Sequence, residues 1–86
     1  MAFSFNAFKE TLDQQHQWPG VYMFKFIVPE GKEGGISRLF PDTKLKSKKS
    51  KSGKYISLTA EITIESSDQV IKIYKEAQKI EGVIAL

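Results

Sequence analysis

The sequence predicts an α+β domain of the ferredoxin-like kind. Its β-α-β-β-α-β order gives a four-stranded antiparallel sheet with two helices on one face, preceded by a short N-terminal helix. Three observations carry this. Residues 55–65 alternate without a slip, with Ile56, Leu58, Ala60, Ile62 and Ile64 on one side and Tyr55, Ser57, Thr59, Glu61, Thr63 and Glu65 on the other. A period of two belongs to a strand buried on one face. After Ser66 and Ser67, the residues Val70, Ile73, Tyr74, Ala77 and Ile80 fall on one helical stripe, which Gly82 closes before the apolar run Val83 to Leu86. Val21 to Val28 is apolar on nearly both faces, as suits a strand in the middle of its sheet.

In chain order, Phe5, Phe8 and Leu12 recur at helical spacing, with Ser4 or Asn6 available as N-cap, so residues 4–15 read as an amphipathic helix. Trp18-Pro19-Gly20 ends it, because proline disfavours helix in the residue before it. In the strand Val21 to Val28, Lys25 shares a face with Val21, Met23 and Ile27. An unpaired lysine is almost never buried, so that face is expected to be open and the Tyr22, Phe24, Phe26, Val28 face to meet the core. Pro29 stops the strand, Glu30 to Gly35 reads as a loop, and Ile36 to Phe40 suffices for a turn or two of helix before Pro41. Thr43 to Lys49 is a lysine-rich edge strand with Leu45 as its apolar anchor. Ser50 to Gly53 is the turn into the long alternating strand. Ser66 with Gln69 has capping-box spacing at the start of the last helix. The first and third strands then lie side by side in the centre, which would bring Lys25 and Glu61 together as a cross-strand pair.

Eighty-six residues make one domain, with residues 1–17 as a helical extension and 18–86 as the core. A chain of this size buries only about 60–65% of its unfolded surface, so its stability is expected to be a few kcal/mol. It has no cysteine, which fits a reducing compartment. Met1 to Asn6 lacks the order of a signal peptide, and no apolar run approaches the roughly 20 residues of a membrane span. A cytoplasmic protein that does not enter a membrane is the expectation.

The charge is local. The net charge is +3, yet Lys44, Lys46, Lys48, Lys49, Lys51 and Lys54 supply six of the thirteen basic residues within one short stretch. The remainder, with seven basic and ten acidic residues, is slightly acidic.

Two segments carry a resemblance to a known family. Pro19 to Lys25 is similar to the "P-x-x-Y-x-F-K" opening of the small bacterial YbeD-like proteins, a family of unknown function. Ser50 to Thr59 resembles their "S-x-x-G-x-Y-x-S-(V/I)-(T/S)" segment. Gln69-Val70, Ile73-Tyr74 and Ile80 to Leu86 resemble their second helix and closing strand. The resemblance covers residues 18–86 and implies a ferredoxin-like fold of the kind seen in amino-acid-sensing ACT domains. It implies no catalytic residue; for some members a role near lipoate metabolism has been suggested by association. The short, glycine-interrupted first core helix departs from that pattern.

Several features are candidate sites. The lysine stretch could neutralise phosphates, but it contains no arginine or aromatic residue to stack on bases, so a solvated edge strand and hairpin explain it better and nucleic acid is the less favoured partner. On the open face Tyr55 stands alone where RNA-recognition domains carry several aromatics. Gly31, Gly34 and Gly35 follow a strand and precede a helix, a place where backbone N–H groups hold anions, and the resemblance to ACT domains implies a small-ligand site there, but their spacing fits neither the P-loop nor the dinucleotide fingerprint. His16, the one histidine, has no clustered ligands for a metal, and no serine sits in a nucleophile elbow. The expectation is a non-enzymatic binding or regulatory module with no cofactor. It would act through protein contacts or by sensing a small metabolite. Val21, Met23, Lys25, Ile27, Tyr55 and Glu61 form its open face, covered by the N-terminal helix, by a second copy in a homodimer or by another protein.

Overall fold

The computed structural model describes residues 4–85. The elements follow in the order α1 (Phe5–Gln15), β1 (Gly20–Pro29), α2 (Glu33–Ser37), β2 (Lys46–Lys49), β3 (Tyr55–Ile64), α3 (Ser67–Ala77) and β4 (Ile84–Ala85). The four strands form one sheet in the order β2-β3-β1-β4, every neighbouring pair antiparallel. This is the ferredoxin-like arrangement. Leu86, the end of the expected closing run, and Met1 to Phe3 lie outside the described residues.

β1 and β3 pair over ten residues, from Gly20 opposite Ile64 to Pro29 opposite Tyr55. Alternation decides what each buries. Phe24, Phe26 and Val28 of β1 and Ile56, Leu58, Ala60 and Ile64 of β3 are buried on the helix side, while Val21, Met23 and Lys25 are exposed. Burying a side chain such as Phe24 or Phe26 contributes about 1.5–3 kcal/mol. Ile36 and Phe40, four residues apart, join this core, as do Val70, Tyr74 and Ala77 of α3. Rings fill the centre: Phe24 lies 5.5 Å from Tyr74 and 5.2 Å from Phe40, centroid to centroid.

Five details depart from the sequence reading. The first core helix starts earlier, at Glu33, so Gly34 and Gly35 lie inside it instead of in a loop. A Cβ on Gly35 would stand 2.9 Å from Ile80 Cδ1, and its absence lets the segment after α3 approach closely. β2 begins at Lys46, not Thr43, whose N–H donates to Phe40 C=O in a turn at 3.1 Å. The capping box does not form. Ser66 makes no side-chain cap, and Gln69 Oε1 instead accepts the Glu65 N–H at 2.9 Å. Lys25 stands opposite Thr59 and Met23 opposite Glu61, so Lys25 and Glu61 are diagonal and make no ion pair.

The fifth concerns α1, which does not fold over the open sheet face. It packs on α3, on the opposite side. Ser4 caps α1 by accepting the Ala7 N–H at 3.2 Å. Along α1, Phe8 meets Tyr74 edge to face at 5.4 Å, Lys9 Nζ donates to Ser67 Oγ at 2.8 Å and approaches Asp68 Oδ1 at 3.1 Å, and Lys75 Nζ lies 5.0 Å over the Phe5 ring. Ser67, Tyr74 and Lys75 share one face of α3 with Ile71. That is why Ile71, outside the stripe read from the sequence, is buried. Leu12 joins the core at 3% exposure. The Ser67 hydroxyl and the Trp18 indole N–H, in that order of effect, hold the Asp13 carboxyl below the usual aspartate range. Trp18 Nε1 donates to Asp13 Oδ1 at 2.9 Å. The α1–α3 seam is therefore apolar along its centre and polar at the N-terminal end of α3.

Candidate functional site: the open sheet face

Because α1 lies behind the sheet, the other face is uncovered by any described element. The register orders its side chains into rows running across the strands. Ile84, Ile27, Ser57 and Lys48 form one row; Lys25 sits beside Thr59 and Lys46 in the next; Met23 faces Glu61 and Val21 faces Thr63 in the two after that. Val21 (67%), Met23 (56%), Ile84 (50%) and Tyr55 (45%) are the large apolar side chains left exposed. Three lysines and one glutamate are interspersed among them, so the face is apolar and net positive.

A groove of about 500 Å³ crosses the face from β4 to β2, floored by Ile27, Tyr55 and Ile84 and bordered by Lys48, Lys49, Lys51, Ser50 and Ser57. Two sets of residues that the sequence presented separately, the open face and part of the basic stretch, meet here. The rest of the basic stretch does not join them. Lys44 and Lys46 border Glu61 and Thr59 in a smaller hollow. Lys49 Nζ lies 3.7 Å from Glu30 Oε1, an exposed pair of the kind that contributes at most about 1 kcal/mol. Lys54 belongs to the hairpin, where its C=O accepts the Glu30 N–H at 2.9 Å. A single phosphate-tracking stripe is not what these six lysines build.

The glycines are placed elsewhere. Gly31, at φ 94°, donates its N–H to Glu33 Oε1 at 2.6 Å, and Gly35 donates to Lys32 C=O at 3.1 Å. Two of the three N–H groups considered for a ligand are thus committed within the chain. His16 stacks on Trp18 at 5.3 Å and meets Tyr22 edge to face at the same distance, as part of an aromatic cluster under the start of β1. On that cluster's inner side Tyr22 and Tyr74 hydroxyls lie 3.3 Å apart. Burial, and then the contact with Tyr22, push the Tyr74 phenol well above its ordinary value of 10.0. Among the described residues no three His, Asp or Glu side chains gather as metal ligands, and no helix is long and apolar enough to cross a membrane.

Sequence reasoning missed Ile84 as a member of the face. A two-residue strand has no readable period, and only its register opposite Ile27 assigns the side.

Fold and surface together define a small ferredoxin-like α+β domain with one sheet face free. The model of one protein family, described as "Protein of unknown function (DUF493)", matches residues 13–86, and the chain belongs to that family. No curated protein and no solved structure matches it.

Proposed function

We propose that the chain is a non-enzymatic, cytoplasmic binding module that takes an acidic protein partner on its open sheet face. The observation that carries this is the placement of α1. The tethered helix that was free to cover Val21, Met23 and Ile27 packs on α3 instead, leaving an apolar, lysine-studded surface on a well-packed domain. Exposed apolar patches of this kind mark interaction sites, and the excess of Lys25, Lys46 and Lys48 over Glu61 favours carboxylates on the partner. The similarity of the two strand segments to the YbeD-like proteins, and through them to ACT regulatory domains, supports a regulatory role over a chemical one.

The test is capture on the immobilised domain, comparing the native chain with the Ile84→Glu, Lys48→Glu double variant. Both positions are exposed, so the variant should fold as the native chain does by circular dichroism. Loss of a stoichiometric partner on reversal of the face supports the proposal. Equal capture by both would sink it. For the rival class, a salt titration with DNA and RNA is expected to show no affinity tighter than millimolar.

A further inference from the structure

The two edges of the sheet are unequal, and the backbone shows why. In an antiparallel ladder successive residues turn their N–H and C=O alternately to one neighbour and the other. The β1–β3 register continues to Glu30, whose N–H donates to Lys54 C=O. The even-numbered residues of β1 therefore bond β3, and Val21, Met23, Lys25 and Ile27 turn their backbone groups outward. The Ser50 N–H to Tyr55 C=O bond, 2.9 Å, gives the matching parity on the far side of β3. On the outward side, among the described residues, β4 meets β1 at Phe26 and Ile27. Among the described residues nothing pairs with the N–H and C=O of Val21 and Met23.

That open edge lacks the usual protection. The segment Gly20-Val21-Tyr22-Met23-Phe24 has no charge, no proline and no bulge in its register with β3. Its two outward residues also carry the two most exposed large apolar side chains. Natural edges are normally blunted with lysine, proline or a bulge, and β2 at the other edge is blunted in that way, with Lys46, Lys48 and Lys49 in four residues. β3 also outruns β2, but there Glu61, Lys44 and Lys46 border the gap.

We infer that the outer edge of β1 from Gly20 to Phe24 is a strand-pairing site whose occupant is the same segment of a second copy. The segment is self-complementary. Antiparallel pairing about a two-fold axis through Tyr22 sets Val21 opposite Met23 of the second copy, and Met23 opposite its Val21. It satisfies the N–H and C=O of both residues in both copies and joins the two sheets into one. The four exposed apolar side chains then form a single strip on the open face. The nearest lysines, Lys25 of each copy, lie about six residues apart along the paired strands, roughly 20 Å. That is about twice the distance over which salt screens charge at physiological strength. A partner copy approaching β2 would instead meet lysine against lysine. This pairing uses the edge of the sheet and leaves the groove at Ile27, Tyr55 and Ile84 free, so it stands independently of the partner proposed for the face.

Amide hydrogen exchange on the native chain across a concentration series tests it, with sedimentation run alongside. Dimerisation with exchange at Val21 and Met23 slowing by roughly 10-fold or more as dimer forms is the expected result. Tyr22 and Phe24, bonded to β3, should be protected at every concentration. Met23→Lys should weaken the dimer about 10-fold or more, because it sets a lysine beside the two-fold axis, while Ile84→Glu should leave it intact. A chain that stays monomeric at millimolar concentration, or a dimer in which Val21 and Met23 exchange as freely as in the monomer, overturns the proposal.

Discussion

β2 and the first half of β1 are both outer strands of the same sheet, and they are built in opposite ways. β2 is four residues of lysine and serine, all exposed, held by backbone bonds to β3 and by Leu45 beside it. The β1 segment is longer and apolar, buries Phe24 beneath itself, and presents Val21 and Met23 above, their backbone groups unpaired among the described residues. The contrast teaches where the +3 net charge acts. Lysine is concentrated along the β2 edge, and is absent from the stretch of β1 proposed to pair.

The comparison rests first on strict alternation within β1. Phe24→Ala should cost about 3–5 kcal/mol in denaturant unfolding, whereas Met23→Ala should stay within about 0.5 kcal/mol for the monomer; similar losses at the two positions would break it. It rests next on the support beneath that edge. Leu12→Ala should cost about 2–5 kcal/mol, because α1 is part of the core. A surface-like loss would mean that α1 is only loosely attached.

The Tyr22–Tyr74 contact under β1 adds a pH dependence with a definite sign. Tyr74 is held neutral in the folded state with its pKa raised, so its contribution is complete below the ordinary tyrosine value near 10. It is lost as pH rises above that, because unfolding then releases a proton. Alkaline titration of stability should therefore fall more steeply in the native chain than in Tyr74→Phe; parallel curves would remove Tyr74 from the account. At the small end, Gly34→Ala should stabilise by up to about 1 kcal/mol, since a Cβ there meets nothing within 4 Å in a helix that glycine weakens. At the other edge, Lys46→Val with Lys48→Val should leave unfolding within about 0.5 kcal/mol yet create a second mode of self-association, visible by sedimentation.

The sheet was legible in the sequence because its central strands obey period two and Lys25 marks which side is wet. Details that depend on contacts distant in sequence were not. Gly34 and Gly35 look like loop residues until Ile80 is seen pressing on α2. Gln69 looks like half of a capping box until it reaches Glu65 instead of Ser66. Ile71 falls outside the α3 stripe because no local pattern announces that a second helix will lie against it. The face itself was read residue by residue, but the pairing of Tyr55 and Ile27 with Ile84 and Lys48 in one groove needed the strand order. The vacancy along β1 needed the register.

The position of α1 has one more consequence, for where this domain may be cut. The family match starts at residue 13, within α1, and the sequence by itself suggests a core starting at residue 18. Both boundaries discard Phe8, Lys9 and Leu12, which close over Tyr74, Ser67 and the core. A shortened chain would expose Ile71 and one side of Tyr74 to water. The matched stretch is smaller than the stretch that packs together here, and a protein made to the matched boundary would carry an apolar surface that the native molecule covers.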